Sequence, residues 1–194
     1  MVNLTLYSTS AVLLLDANDG GRIICKYYTP PHAPSKDAGA AAPLATLKEQ
    51  RAFEKAVWEK TRRGGGDIIL YDSHLLLFRT LPDVLLYVVA PAGENELMLS
   101  SLLSTLHDAI TQLLPHGAIE KRALLENLDL VALAIDEAVD DGIILEMDAT
   151  TIASRVSRPR PDVESVVQIN EQSLLSAYSS LKERVAQRIL QGGL

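Results

Sequence analysis

The chain has 194 residues, 47% of them hydrophobic and 22% charged, which suits one domain with an extension and allows a sizeable core. With 18 Lys and Arg against 25 Asp and Glu the net charge is -7, which opposes non-specific attraction to nucleic acid or to an anionic membrane and leaves room only for a locally basic patch. One cysteine, Cys25, excludes an internal disulfide and a thiolate zinc cluster and points to a reducing, cytosolic setting. The apolar run Ala11 to Leu15 has no basic flank and no small-residue cleavage site, so no signal peptide is expected. No apolar stretch reaches the roughly 18 to 20 residues of a membrane span and the terminal QGGL carries no lipidation cysteine, so membrane contact is expected to be borrowed from a partner.

In chain order, Leu4 to Asp16 and Arg22 to Tyr28 are rich in β-branched, aromatic and aliphatic residues, and Ala17 to Gly21 between them tolerates positive φ, which predicts a β-hairpin. Residues 29–46, TPPHAPSKDAGAAAPLAT, offer little to a core and read as a flexible surface loop. A helix follows from Thr46, with Thr46 and Glu49 in capping-box spacing and Phe53 and Val57 as a packing pair; it ends at Arg62-Arg63-Gly64-Gly65-Gly66. Asp67 to Pro91 gives three short apolar runs broken at Asp72-Ser73 and Leu81-Pro82-Asp83, with no room for crossover helices. That is an antiparallel meander. From Glu94 the period becomes helical, through Leu97, Leu102, Leu103, Leu106, Ile110, Leu113 and Leu114, until Pro115-His116-Gly117. A second helical region spans Ala118 to Asp141, a short helix Asp148 to Val156, a proline-broken linker follows, and Ser173 to Leu190 is amphipathic. The fold class is α+β, in the order ββαβββαα with a C-terminal helical extension, and the expected domains are residues 1–147 and 148–194.

Catalytic constellations are missing: there is no GxxxxGK[ST], HExxH, GxSxG or EF-hand loop. Gly64 to Gly66 follow a helix and precede a strand, the reverse of a P-loop, and His32, His74, His107 and His116 lack metal-ligand spacing. Neither a cofactor nor a metal is expected. The stretch ENLDLVALAIDEAVDDGIILE, residues 126–146, looks like an acidic site, but adjacent helix residues such as Asp136 and Glu137 point about 100° apart. On a helical wheel Leu128, Val131, Ile135, Ala138 and Val139 share one face, and Asp129, Asp136 and Asp140 line a wetted face opposite. Leu130 and Leu133 fall on that polar side. They either meet another protein or are covered by the C-terminal or the preceding long helix. Trp58, off the Phe53 and Val57 direction, is a candidate partner anchor or a core aromatic at the sheet edge.

ENLDLV with Asp136-Glu137 and Gly142-Ile143 to Glu146 resembles the signature of the clathrin adaptor small (sigma) chains. Lys48 to Thr61, Glu94 to Leu99, Glu120 to Asn127 and the Lys26 to Tyr28 end of the hairpin resemble more closely the zeta-type small chains of the COPI coatomer. Together these cover residues from about 10 to 150 in the expected order. The resemblance implies a longin-like fold, a five-stranded antiparallel sheet with one helix on one face and two on the other. It also implies a non-enzymatic subunit, an obligate partner of gamma-coatomer, linked through the complex to the beta and delta subunits and to Arf-GTP. Such a chain is cytoplasmic and peripheral on Golgi membranes and COPI vesicles, serving retrograde traffic. No motif demonstrates a sorting-signal pocket, and those residues are not carried across. The alternative is a free-standing longin-type regulator of a small GTPase or SNARE, which would be stable alone.

Overall fold

Five strands, β1 (Ala11–Asp16), β2 (Arg22–Tyr27), β3 (Ile68–Tyr71), β4 (His74–Thr80) and β5 (Val84–Pro91), form one antiparallel sheet in the spatial order β2-β1-β5-β4-β3. The computed structural model describes residues 6–29, 44–62 and 67–157. Most of the expected loop at 29–46, Gly64 to Gly66 and everything from Arg158 lie outside them. The first strand is shorter than the expected Leu4 to Asp16. Its predecessor is diverted: Thr9 N–H donates to the carbonyl of Gly142 at 3.0 Å and Tyr7 bridges to Ile143.

Because β1 and β5 sit inside the sheet, their side chains alternate between two cores and nearly all are buried. Ala11, Leu13, Leu15, Leu76, Phe78, Leu85, Tyr87 and Val89 face one side. Helix α1 (Leu47–Thr61) covers that side with Phe53, Val57 and Trp58. Its start is as the spacing predicts, since Thr46 accepts from Glu49 N–H and the Glu49 side chain accepts from Thr46 N–H. Polar contacts from three of its residues fix its rotation. Glu54, on its sheet-facing side, accepts from Arg22 Nη2 at 2.6 Å and from Tyr27 OH at 2.8 Å. Trp58 Nε1–H donates to the carbonyl of Ala17 at 3.0 Å, and Thr61 Oγ1 lies 2.6 Å from Tyr87 OH.

Helix α2 (Glu96–Leu113) lies on the opposite face, capped by Asn95 and buried through Leu99, Leu102, Leu103, Leu106, Ala109 and Ile110. Leu97, expected in that apolar stripe, is 79% exposed, because the first turn of α2 leaves it outside the core. The single helical region expected from Ala118 to Asp141 is divided. A 3₁₀ turn at Pro115–Gly117 precedes α3 (Lys121–Glu126), and Asn127, with φ -130° and ψ 35°, separates it from α4 (Leu128–Ala138). The chain then turns through a small hairpin, β6 (Val139–Asp140) and β7 (Ile143–Ile144), so Asp140 is on a strand and not on the helix. Helix α5 (Ala149–Val156), N-capped by Asp148, buries Ile152 and Val156 in the same core as α2 and α4. The compact unit runs to Ser157 and so includes α5.

Candidate interaction surface

The acidic stretch is organised by what flanks it. Helix α3 has no side-chain cap from its own N-cap residue, Glu120. Instead Lys121 N–H donates to both carboxylate oxygens of Asp83, at 3.1 and 3.0 Å, from the turn between β4 and β5. The Lys121 ammonium pairs with Asp16 at the end of β1, and that hydrogen bond holds the Asp16 carboxyl below its ordinary pKa. One lysine thus joins the helix start to β1 and to the β4–β5 turn.

Helix α4 is seated by Val131, Ala134, Ile135 and Ala138, all fully buried, and each large aliphatic among them contributes about 1.5 to 3 kcal/mol of transfer free energy. Leu128, expected on this face, is 37% exposed, because it opens the helix just after the Asn127 break. The carboxylates expected on a wetted face are partly tied down. Asp136 pairs with Lys26 of β2, and Glu137 accepts from Arg155 of α5 at 2.6 Å. Arg155 also reaches Glu146 at 3.6 Å, while Glu146 Oε1 accepts from the N–H groups of Met147 and Asp148.

Asp141 and Gly142 turn the β6–β7 hairpin with φ of 47° and 87°. A Cβ at Gly142 would lie 2.5 Å from the Thr9 carbonyl oxygen and 3.3 Å from Tyr28 Cβ. Glycine is required there by both conformation and space. Beside it, Tyr28 OH and Thr9 Oγ1 are buried without a hydrogen-bond partner among the described residues. Burial, and then Asp136 and Asp140, push the Tyr28 phenol well above its ordinary pKa.

The three residues singled out from sequence separate. Leu133 is 47% exposed on α4, between Asp129 and Asp136 on neighbouring turns. Leu130 is half-buried and packs against the core shared by α2, α4 and α5. Trp58 is 8% exposed, its ring against Gly20 and under the Arg62 guanidinium 4.5 Å away. Its indole is used within the chain, at the β1–β2 turn, and not as an exposed anchor. Sequence reasoning missed Leu125, 49% exposed at the end of α3, and Leu145 and Met147, 60% and 40% exposed after β7. Their signal was apolar residues adjoining helix ends and turns. Of the histidines, His74 is buried in β4, its Nδ1 2.8 Å from the Asp72 carbonyl, with burial lowering its pKa. His107 contacts Asp108, and His116 has a positive φ in the 3₁₀ turn.

The clathrin adaptor complex small chain family model matches residues 9–161. Coatomer subunit zeta of Saccharomyces cerevisiae is 38% identical over 192 residues, spanning 99% of this chain and 100% of that protein. Coatomer subunit zeta-1 of Homo sapiens is 38% identical over 178 residues, 92% of this chain and 93% of the relative. The probable coatomer subunit zeta-A of Dictyostelium discoideum is 32% identical over 182 residues, with 93% and 95% covered. A chain in a homology model of the full-length AP-3 complex in a stretched open conformation has the same fold, with a TM-score of 0.56 at 14% identity, covering 91% of this chain and 98% of that one. The five-stranded antiparallel sheet between helices is thus the longin-like fold of adaptor small chains, and the chain belongs to the clathrin adaptor complex small chain family, in its coatomer zeta branch.

Proposed function

We propose that this chain is a non-catalytic structural subunit of the COPI vesicle coat, which pairs directly with the gamma-coatomer subunit. Through that pair it joins the beta and delta subunits and Arf-GTP in Golgi-to-ER and intra-Golgi transport. The observation that carries the reading is the likeness to coatomer zeta subunits along essentially the whole chain. The exposed leucines of α3 and α4 support it, because Leu125 and Leu133 present apolar surface among carboxylates where a free monomer ordinarily places polar side chains.

Leu133 and Leu130 are the proposed contacts, with Leu133 the more accessible. Trp58 supports the interface only indirectly, by fixing the β1–β2 turn on α1. Co-expression with gamma-coatomer tests the assignment. Leu133→Asp is expected to weaken the pair by about thirtyfold or more, the scale of a lost interface hot spot, while far-UV dichroism stays native. Leu130→Asp is expected to lower stability as well, since its side chain leans on the core. Full recovery of the pair with both variants would remove these contacts. A wild-type chain that is monodisperse, equally stable and uncoupled from gamma-coatomer would instead favour a free-standing longin-type regulator.

A further inference from the structure

The net charge of -7 is unevenly distributed. Residues 128–146, on the α2 side of the sheet, hold Asp129, Asp136, Glu137, Asp140, Asp141 and Glu146 without a single lysine or arginine. Helix α1 covers the other side, and its solvent face is basic. With a rotation of about 100° per residue, Lys48, Arg51, Lys55 and the C-cap Arg62 fall within about 60° of one another, opposite the buried Phe53 and Val57. All four are exposed. Among the described residues none of them has a carboxylate within ion-pair distance. Glu59 is the one carboxylate on the strip, since Glu54 is turned inward and neutralised by Arg22 and Glu49 is used in the capping box. Leu47, 52% exposed, adds an apolar side chain beside Lys48 and Arg51 at the head of the helix.

We infer that the outer face of α1 is a docking surface for anionic lipid headgroups. A straight helix with cations along one ridge meets a plane along its whole length, each Lys or Arg near an anionic bilayer adds attraction, and an adjoining leucine reaches the headgroup boundary. The acidic side of the sheet is repelled by the same surface, so the two faces together select one orientation. Few cations give weak partitioning in isolation, which becomes significant when many copies are held in one assembly. The choice of a bilayer as occupant rests on the coat-subunit reading, and it replaces the sequence expectation that membrane contact comes only through a partner. That expectation followed from the lack of a membrane span and of a lipidation cysteine, and the net charge that opposed direct contact averages over two unlike faces.

The test uses the full-length chain co-purified with gamma-coatomer, sedimented with phosphatidylcholine vesicles and with vesicles containing about 30% phosphatidylserine, each at about 50 mM and about 500 mM NaCl. The wild type is expected on the anionic vesicles at low salt, with high salt releasing it. Lys48→Glu/Arg51→Glu/Lys55→Glu is expected to lower that partitioning by about tenfold or more, with neutral vesicles unaffected, gamma-coatomer retained and dichroism unchanged. The neutral set Lys48→Gln/Arg51→Gln/Lys55→Gln is expected to fall between the two. Equal partitioning of wild type and both variants overturns the inference. So does loss of gamma-coatomer from either variant, which would make α1 a protein interface. If the wild type itself fails to capture gamma-coatomer, the coat reading fails, and the same vesicle comparison on the free chain still decides whether α1 binds anionic lipid.

Discussion

Replacing Gly142 by alanine puts the largest calculable strain on the signature stretch. The added Cβ would sit 2.5 Å from the Thr9 carbonyl oxygen, a backbone atom with no rotamer to escape into, and 3.3 Å from Tyr28 Cβ. At φ +87° an alanine also bears a left-handed penalty of about 1 kcal/mol or slightly more. Relieving the clash means parting the hairpin from the N-terminal segment, which breaks the 3.0 Å bond from Thr9 N–H to the Gly142 carbonyl at about 1 kcal/mol. Residual overpacking adds about 1 kcal/mol. The expected loss is therefore about 3 kcal/mol, or roughly a 10 °C fall in Tm for a chain of this size. Urea unfolding followed by dichroism measures it. Gly93→Ala is the control, because a Cβ there meets nothing within 4 Å and should change stability by no more than about 0.5 kcal/mol. If the two substitutions have the same effect, Gly142 is not the close approach that joins β6 and β7 to the sheet.

Two further perturbations read other buried groups. Burial lowers the pKa of His74 from 6.5, so the unfolded chain binds its proton first: the contribution of neutral His74 is present above pH 6.5 and is lost as pH falls from there toward the folded value. The resistance of the wild type to urea should therefore fall as pH is lowered through and below 6.5, and His74→Gln should flatten that slope; an unchanged slope would place the titration elsewhere. Tyr28→Phe removes a buried hydroxyl without a partner among the described residues, so stability should hold or rise by up to about 1 kcal/mol. A loss of more than about 1 kcal/mol would reveal a hydrogen bond to that hydroxyl.

What was legible in the sequence is what local chemistry decides. Thr46 and Glu49 lie one helical turn apart, so their reciprocal cap follows from spacing alone, and the Asp72-Ser73 and Leu81 to Asp83 breaks place the meander without tertiary information. The rest depends on residues distant in the chain. Nothing near Glu120 announces that its helix is capped by Asp83, nor does anything near Asp136 announce Lys26. The helical wheel treated residues 128–140 as one uninterrupted helix, and Asn127 and the Asp141-Gly142 turn set its ends otherwise. Trp58 carried two readings because an angle on α1 cannot reveal that the β1–β2 turn comes back over the indole. Of the proposed contacts, Leu133 is exposed as its place on the wheel implies, and Leu130 lies on the boundary where a helix face meets its own core.

The division of labour among the carboxylates bears on how partner binding should be probed. Asp136 and Glu137 are committed to Lys26 and Arg155, cations on β2 and α5, so they fasten α4 to both the sheet and the last helix, and Glu146 ties the segment after β7 to that same Arg155. Removing one of them changes the setting of α4 as well as its surface charge, and a lost interaction would then report geometry. Asp129 has no such partner among the described residues and stands one turn from Leu133. Charge reversal at Asp129 therefore changes the field around the exposed leucine while leaving these ion pairs in place. If Asp129→Lys impairs gamma-coatomer recovery and Asp136→Asn does so only in proportion to its loss of stability, the acidic rim acts at the interface itself. If the two fall in step with stability, the run of carboxylates is scaffolding, and Leu133 alone carries the contact.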